Sequence, residues 1–152
     1  MRMMMAAALA ALSLAPMAAA ADDTPEQMAL EARHGYMLML GANMSTLAGM
    51  AKGDIAYDEA GASRAAANLE ALGKYDVSMH FIPKTAQGEM EDSEALPAIW
   101  SDAAGFAAKQ AAFAEATAGI TDAVKGGQDK VGPVVQKLGG TCKACHDGYR
   151  AK

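Results

Sequence analysis

This 152-residue sequence contains only two cysteines, few aromatic residues (5%) and no excess of basic side chains. Two thiols fall short of the two separated pairs that a structural zinc site requires. The sequence also lacks a serine paired with histidine and aspartate, a glycine-rich phosphate loop and a close carboxylate pair in an apolar setting. We therefore expect neither hydrolysis nor group transfer, and predict that the protein is not an enzyme.

Long apolar runs are absent as well. The run from Ala6 to Ala15 is too short to span a bilayer, but with Arg2 before it and the small residues Ala18 to Ala21 after it, it is typical of a secretory signal. We predict that residues 1–21 are a signal peptide that is removed. Residues 22–152 then have the size of one domain.

The remaining chain is acidic. Without Arg2 it has 12 Lys and Arg against 18 Asp and Glu, a net charge of −6. This charge argues against nucleic acids and anionic membranes as partners, and we expect no stable membrane insertion. It is typical of a protein that meets its partners transiently.

Near the end of the chain, Cys142-Lys143-Ala144-Cys145-His146 has the C-x-x-C-H spacing of covalent c-type haem attachment. Two thiols three residues apart share one face of a helix, so each can add to one haem vinyl group while the following imidazole reaches the iron. A dithiol redox centre usually opens a helix after a strand, and nothing before Thr141 resembles a strand. A dithiol redox centre, a zinc site and a chance match remain the alternatives to one covalently bound haem c.

Export and this motif support each other. Haem of this type is attached outside the bacterial cytoplasm, so a secretory signal and C-x-x-C-H in one chain predict a periplasmic protein. The use of Cys142 and Cys145 as thioether anchors also explains why an exported protein keeps two neighbouring cysteines.

Alanine richness, few β-branched residues and punctuation by Gly and Pro predict four helices. The first begins with Thr24-Pro25-Glu26-Gln27, a capping-box arrangement, and ends at Lys52-Gly53. A second is predicted from about Asp58 to Lys74, and Tyr75 to Leu96 forms a loop with at most a short helical turn. The third runs from about Pro97 to Val124, and the fourth begins near Asp129 or at Gly132-Pro133 and continues to the end.

Four helices with short outer connections and a longer middle one predict an all-α fold, an antiparallel four-helix bundle. The many alanines leave the apolar volume to methionines and a few aromatic residues. A haem enclosed by the bundle supplies the missing apolar bulk.

Over the whole chain after the signal, the sequence resembles cytochrome c′ and its low-spin relatives, the class II c-type cytochromes. The most specific similarity is the terminal run from Leu138 to Arg150, which contains the haem motif. Moderately specific similarities are Glu31-Ala32-Arg33 with Met37, Ala51-Lys52-Gly53 followed by Tyr57-Asp58, and Ala98-Ile99-Trp100.

The resemblance implies roles for individual residues. His146 is the proximal iron ligand, Arg33 approaches a haem propionate, and Met37, one turn later on the same helical face, covers the distal side of the haem. Arg150, one turn beyond His146, corresponds to the basic residue that the family places beside the proximal imidazole.

The role of Met37 separates two kinds of haem protein. If it only blocks the distal side, the iron is high-spin, five-coordinate and open to small gases such as nitric oxide or carbon monoxide. If its thioether binds, the protein is a low-spin electron-transfer cytochrome, since a thioether is a competent sixth ligand that raises the potential. Tyr36-Met37 resembles the high-spin members more closely, so we favour the first. A distal residue other than Met37 is the remaining alternative.

Three functional hypotheses follow: electron transfer with an unidentified redox partner protein, binding of nitric oxide, and weak peroxidase or nitric oxide reductase activity. The third ranks last because an apolar distal side offers no polar group to steer O–O cleavage. The family also implies a homodimer through the first two helices, for which we expect Tyr36, Met39 and Met50 to face the second copy.

We expect several other side chains to have structural rather than functional roles. We expect His34 to be a surface or interface histidine, His80 a loop histidine and Trp100 a core anchor. The methionines at helix-core spacing, which are Met28, Met39, Met44 and Met50, are predicted to pack in the core.

Overall fold

Six α-helices and one 3-10 helix follow one another along residues 24–152, the part of the chain that the computed structural model describes. The predicted signal peptide, residues 1–21, lies outside the described residues. The helices are α1 (Pro25–Lys52), α2 (Glu59–Gly73), α3 (Ala98–Ser101), α4 (Ala103–Thr117), α5 (Ile120–Ala123) and α6 (Gln128–Tyr149), and the 3-10 helix spans Val77–His80. Within residues 24–152 there is no β-strand, only two isolated bridges.

The four long helices form the predicted antiparallel bundle. Both α1 and α4 pack against α2 and against α6, so the four helices form a ring in which every long helix has two neighbours. The short helices α3 and α5 flank α4 at its two ends. No helix within the described range has the length and apolar character to cross a membrane.

The first helix begins as predicted, but only half of its capping box forms. The Thr24 hydroxyl accepts a hydrogen bond from the backbone N–H of Gln27 at 3.2 Å, which satisfies one free amide of the first turn. The Gln27 side chain turns forward to Glu31 (3.0 Å) instead of back to Thr24. Gly53 closes the helix in a left-handed conformation (φ 82°).

The prediction of one continuous third helix is wrong. The helix is interrupted at Asp102, whose carboxylate accepts a hydrogen bond from the Gly105 N–H (3.1 Å) and so caps α4 in place of a helical backbone bond. A second interruption occurs at Gly119 (φ 74°), where the chain turns before α5. The breaks divide the predicted segment into α3, α4 and α5.

The last helix starts at the earlier of the two predicted positions. It begins at Gln128, directly after Gly126 and Gly127 with positive φ, and Pro133 lies inside it rather than at its start. The residues Val131, Val134 and Leu138 form its buried face. Cys142, Cys145 and His146 follow Leu138 by about one to two turns of the same helix.

Two apolar clusters flank the interior of the bundle. The larger contains Leu47, Leu69, Val124, Val131 and Leu138, which are fully buried. The smaller contains Ile99, Phe106 and Tyr149, with Phe81, Trp100 and Cys145 packed against it. Of the predicted core methionines, Met50 is buried and Met44 packs on the larger cluster, but Met28 and Met39 are exposed (61% and 51%), contrary to prediction.

Candidate haem site

A cavity of about 740 Å³ opens between α1, α4, α6 and the loop after α2. This volume falls within the range of roughly 300–1,000 Å³ that is usual for cofactor sites. Its walls include residues of both apolar clusters, among them Leu40, Ile99, Phe106 and Phe113. The cavity therefore occupies space that the side chains of the bundle leave unfilled.

All six residues predicted for the site line this cavity. Cys142, Cys145, His146 and Arg150 come from α6 and its end, whereas Arg33 and Met37 come from α1. The two sets lie on different helices. The cavity is therefore bounded by an α6 wall, which carries the two thiols and the imidazole, and by an α1 wall.

The α6 wall is half-buried, and burial shifts the pKa values of its two thiols and of its imidazole. Desolvation raises the pKa of the Cys142 and Cys145 thiols, with the charge of Cys142 adding to the effect at Cys145. Burial lowers the pKa of His146, and the nearby Arg150 charge lowers it further. The shift favours the neutral imidazole, which has a free lone pair and is the form that binds a metal.

On the α1 wall, Arg33 is a buried cation, only 4% exposed. Its two terminal nitrogens donate to Thr85 Oγ1 and to the Thr85 carbonyl oxygen, both at 3.1 Å, and its carbon Cζ lies 4.8 Å from the centre of the Phe81 ring. Among residues 24–152 no carboxylate pairs with it. Desolvation lowers its pKa, but an arginine stays charged, so the cavity wall carries an uncompensated positive charge.

The segment predicted as a loop contributes a wall of its own. Thr85 is fully buried, its hydroxyl donates to the Ile82 carbonyl oxygen at 2.7 Å, and the Ser93 hydroxyl donates to the Thr85 carbonyl oxygen at 2.7 Å. Phe81 and Ser93 line the cavity directly. This wall could not be predicted from the sequence. The apolar residues Phe81 and Ile82 before Pro83 are its only local signal, and they do not indicate where the loop packs.

Tyr36 also belongs to the site, not to the outer surface where it was expected. It is buried (6% exposed), lines the cavity and donates a hydrogen bond from its hydroxyl to the Leu72 carbonyl oxygen at 3.1 Å. Burial, and secondarily the Cys142 charge, raises its pKa to about 12. Met50 is likewise buried within the chain, so the prediction that Tyr36 and Met50 face a second copy is wrong.

The remaining candidates lie at the edge of the site or away from it. His34 lines the cavity but is exposed. His80 hydrogen-bonds to the Tyr75 hydroxyl through Nε2 (2.5 Å) and is not among the cavity-lining residues. Trp100 packs on the smaller cluster and donates from Nε1 to the Phe81 carbonyl oxygen at 2.9 Å, which anchors the loop.

Arg150 lies at the mouth of the cavity. Its side chain is 53% exposed, and its Nε lies 3.7 Å from an oxygen of the exposed Glu94 carboxylate. Its backbone N–H donates to the His146 carbonyl oxygen at 3.2 Å, which ends α6. The end of α6 therefore fixes the position of Arg150 and keeps its charge near His146.

The chemistry of these walls fits a covalently bound haem. Two thiols and an imidazole on one helix would provide two attachment points and one axial ligand. The apolar walls suit the porphyrin, and the unpaired Arg33 cation suits its carboxylate substituents.

The chain is similar to cytochromes c′ over nearly its full length. A family model described as Cytochrome C' matches residues 28–150. A cytochrome c′ from Cereibacter sphaeroides is 42% identical over 151 residues, which cover 99% of this chain and 98% of that protein.

Solved structures show the same similarity. A cytochrome c′ from Rhodobacter Spheriodes superposes with a TM-score of 0.80 at 42% identity, covering 84% of this chain and 98% of the other. A nitric oxide complex of a mutant cytochrome c prime from Alcaligenes xylosoxidans superposes with a TM-score of 0.70 at 32% identity, covering 84% and 97%.

Proposed function

Since the chain belongs to the cytochrome c′ family, we propose that it is a periplasmic, high-spin, five-coordinate haem protein that transfers electrons and binds small gases such as nitric oxide. The family carries covalently bound haem c. Cys142 and Cys145 would hold this haem through two thioethers and His146 would be the axial ligand. When bound, the haem supplies a redox-active iron.

One observation carries the proposal: the imidazole and the distal candidate lie on different walls of one cavity. His146 is on α6, whereas Leu30, Met37 and Leu40 line the cavity from α1. An apolar wall of this kind suits a small uncharged molecule, because it gives little stabilisation to a charged one. The nitric oxide complex of the related Alcaligenes protein supports the same use of the fold.

Arg33 and Thr85 have a separate role in the proposal. The Arg33 charge would meet a haem carboxylate, and Thr85 would keep its guanidinium aimed at the cavity. Because both side chains are buried, this contact is shielded from water and salt, which strengthens it relative to a surface ion pair.

A low-spin electron-transfer cytochrome is the second candidate. It is favoured by the position of Met37, which lines the same cavity as His146 and carries a sulfur that can bind iron. In that case the protein would transfer electrons without an open gas site.

Optical spectra of the ferric and ferrous protein decide between the two. We expect broad high-spin spectra that change on addition of nitric oxide, and a Met37→Ala variant that stays high-spin but admits larger ligands. A wild-type low-spin spectrum with a methionine-to-iron charge-transfer band, lost in Met37→Ala, would overturn the five-coordinate state. Met28→Ala is the matched control, since Met28 is an exposed methionine of the same helix that does not line the cavity, and its loss should change neither spectrum.

We also propose a homodimer through α1 and α2. Its contact residues are revised to Met28, Leu38 and Met39, which are exposed apolar side chains on α1. Leu38→Glu should convert a dimer to a monomer in size-exclusion chromatography with light scattering, and Met79→Glu, at an exposed apolar site outside both helices, should not. A monomeric wild type at micromolar concentration would rule out this dimer.

A further inference from the structure

The end of the chain that holds the haem motif has a charge opposite to the rest. Residues 128–152 contain five Lys and Arg and two Asp, a net charge of +3. Residues 24–127 contain seven Lys and Arg and 14 Asp and Glu, a net charge of −7. A protein that is acidic overall is therefore locally basic around its proposed cofactor.

The positive charges lie on the outer side of α6. Lys130, Lys137 and Lys143 are exposed. At about 100° per residue, Lys130 and Lys137 lie along one edge of the exposed arc of α6 and Lys143 lies along the other, while the buried valines and leucine lie outside that arc. Arg150 and Lys152 continue the same end of the molecule. We define the basic face as Lys130, Lys137, Lys143, Arg150 and Lys152.

Neighbouring carboxylates neutralise only part of this face. A carboxylate oxygen of Asp129 lies 2.9 Å from Lys130 Nζ, one of Asp147 lies 2.5 Å from Lys143 Nζ, and one of Glu94 lies 3.7 Å from Arg150 Nε. All six side chains are more than half exposed. Such surface pairs are weak and leave the net positive charge in place. Within the described residues, no carboxylate pairs with Lys137.

The basic face also permits close approach to the haem-bearing turn. Gly140, Ala144 and Gly148 are exposed and recur every four residues, so they share one side of α6 between the lysines. No atom lies within 4 Å of the position that a Cβ would take at Gly140 or Gly148. A partner that rests there is separated from Cys142, Cys145 and His146 by one helix backbone.

We propose that the basic face is the docking surface for a redox partner protein with an acidic surface. This rests on the proposed electron transfer: ferrous iron loses one electron and becomes ferric, the partner gains that electron, and no bond or proton is transferred. Opposite charges speed the encounter and orient it, whereas the remaining surface, at −7, repels an acidic partner. The haem thus receives and releases electrons through α6.

The test uses hexacyanoferrate(III), a small anionic oxidant, with the ferrous haem-loaded protein in stopped flow. The net charge of the protein predicts repulsion, and hence a rate constant that rises with ionic strength. Docking at the basic face predicts the reverse, a rate constant that falls as salt is added.

A Lys137→Glu/Lys143→Glu variant should lower the rate constant at low ionic strength by roughly fivefold or more, and the difference should vanish in high salt. The control, Lys52→Glu/Lys125→Glu, changes the net charge equally at exposed lysines outside α6 and should have a much smaller effect. Equal effects of the two variants, or a wild-type rate constant that rises with salt, would overturn the docking surface.

A second oxidant separates this proposal from the proposed function. Tris(phenanthroline)cobalt(III), a cation, should be repelled at the same face, so its rate constant should rise with ionic strength and should increase in Lys137→Glu/Lys143→Glu. If neither oxidant takes an electron from the ferrous protein, electron transfer itself fails. If both react but only net charge governs their rates, the docking surface alone fails.

Discussion

Thr85 holds the guanidinium of Arg33, although the two residues are 52 positions apart in the chain. The Thr85 hydroxyl and carbonyl each accept one Arg33 hydrogen bond at 3.1 Å, and both residues are buried. Through this contact the loop after α2 and the first helix form one wall of the haem cavity. The buried charge and the loop therefore depend on each other.

Replacing Thr85 by valine should weaken this wall. Thr85→Val keeps the shape and the carbonyl acceptor but removes the hydroxyl, which accepts from Arg33 and donates to Ile82. A buried hydrogen bond to a charged group contributes about 1.5–3 kcal/mol. We expect the free energy of unfolding of the haem-loaded protein, measured by urea denaturation, to fall by about that amount. Thr85→Ser keeps the hydroxyl and should lose much less; an equal loss in both variants would assign the effect to packing.

Gly73 marks a close contact between α2 and α4. A Cβ at this position would lie 3.1 Å from Thr117 Cβ and 3.3 Å from its Cγ2, and Thr117 is buried. Gly73→Ala should lower the free energy of unfolding by about 1–3 kcal/mol, because a packed interface must open.

The matched substitution is Gly35→Ala in α1, where no atom lies within 4 Å of the new methyl group. There we expect a gain of roughly 0.5–1 kcal/mol from better helix propensity. Thermal and urea unfolding of both variants measure the contrast. A Gly73→Ala protein as stable as Gly35→Ala would mean that α2 and α4 are further apart than described.

Tyr149 should control the titration of Asp102. Its hydroxyl donates to Asp102 Oδ2 at 2.7 Å, and this hydrogen bond, with a further one from the Gly105 N–H, holds the pKa of that carboxyl below its usual value. Tyr149→Phe should raise the Asp102 pKa toward about 3.9, as followed by carbon NMR of the carboxyl group. Asp76, whose pKa is lowered by Ser78 instead, is the internal control and should not move.

The stability effect has a definite sign. Because the folded pKa of Asp102 is lowered, its carboxylate stabilises the fold fully above the unfolded pKa of about 3.9, and this contribution is lost as the pH falls through the folded pKa. Tyr149→Phe should therefore flatten the pH dependence of unfolding below about pH 4. An unchanged slope there would contradict the hydrogen bond.

The thioether assignment predicts how tightly the haem is held. Wild type should retain its haem in acidified acetone and on a denaturing gel, Cys142→Ala should retain it through Cys145 alone, and Cys142→Ala/Cys145→Ala should release it. Met37→Ala should keep the haem covalently attached. Haem that stays bound to the double variant would disprove the assignment.

Several features were predictable because they depend on neighbouring residues. The Thr24 cap, the glycines after α1 and before α6, and the C-x-x-C-H motif all act over a few positions. The helix breaks at Asp102 and Gly119 are local too, but the apolar spacing on either side continues in phase and concealed them. Periodicity shows which face of a helix is apolar, not whether the helix is continuous.

The family resemblance named six residues that the structure brings to one cavity, while their roles toward a haem stay predictions. The walls of this cavity were not predictable, since Thr85 and Phe81 reach Arg33 only through the packing of a loop. Tyr36 and Met50 were expected on an apolar outer surface because of their helical spacing. Contacts with distant segments of the chain bury them instead, and helical spacing alone does not show such contacts.

The sequence by itself determined an all-α chain with a haem motif at its end, because helix propensity, capping and thiol spacing are local properties. Only the tertiary structure decided that a buried, unpaired cation faces the cavity, that a loop closes its side, and that the exposed face of α6 is basic against an acidic remainder. Burial and the sum of charges on a surface depend on which distant residues meet, and that is settled by packing.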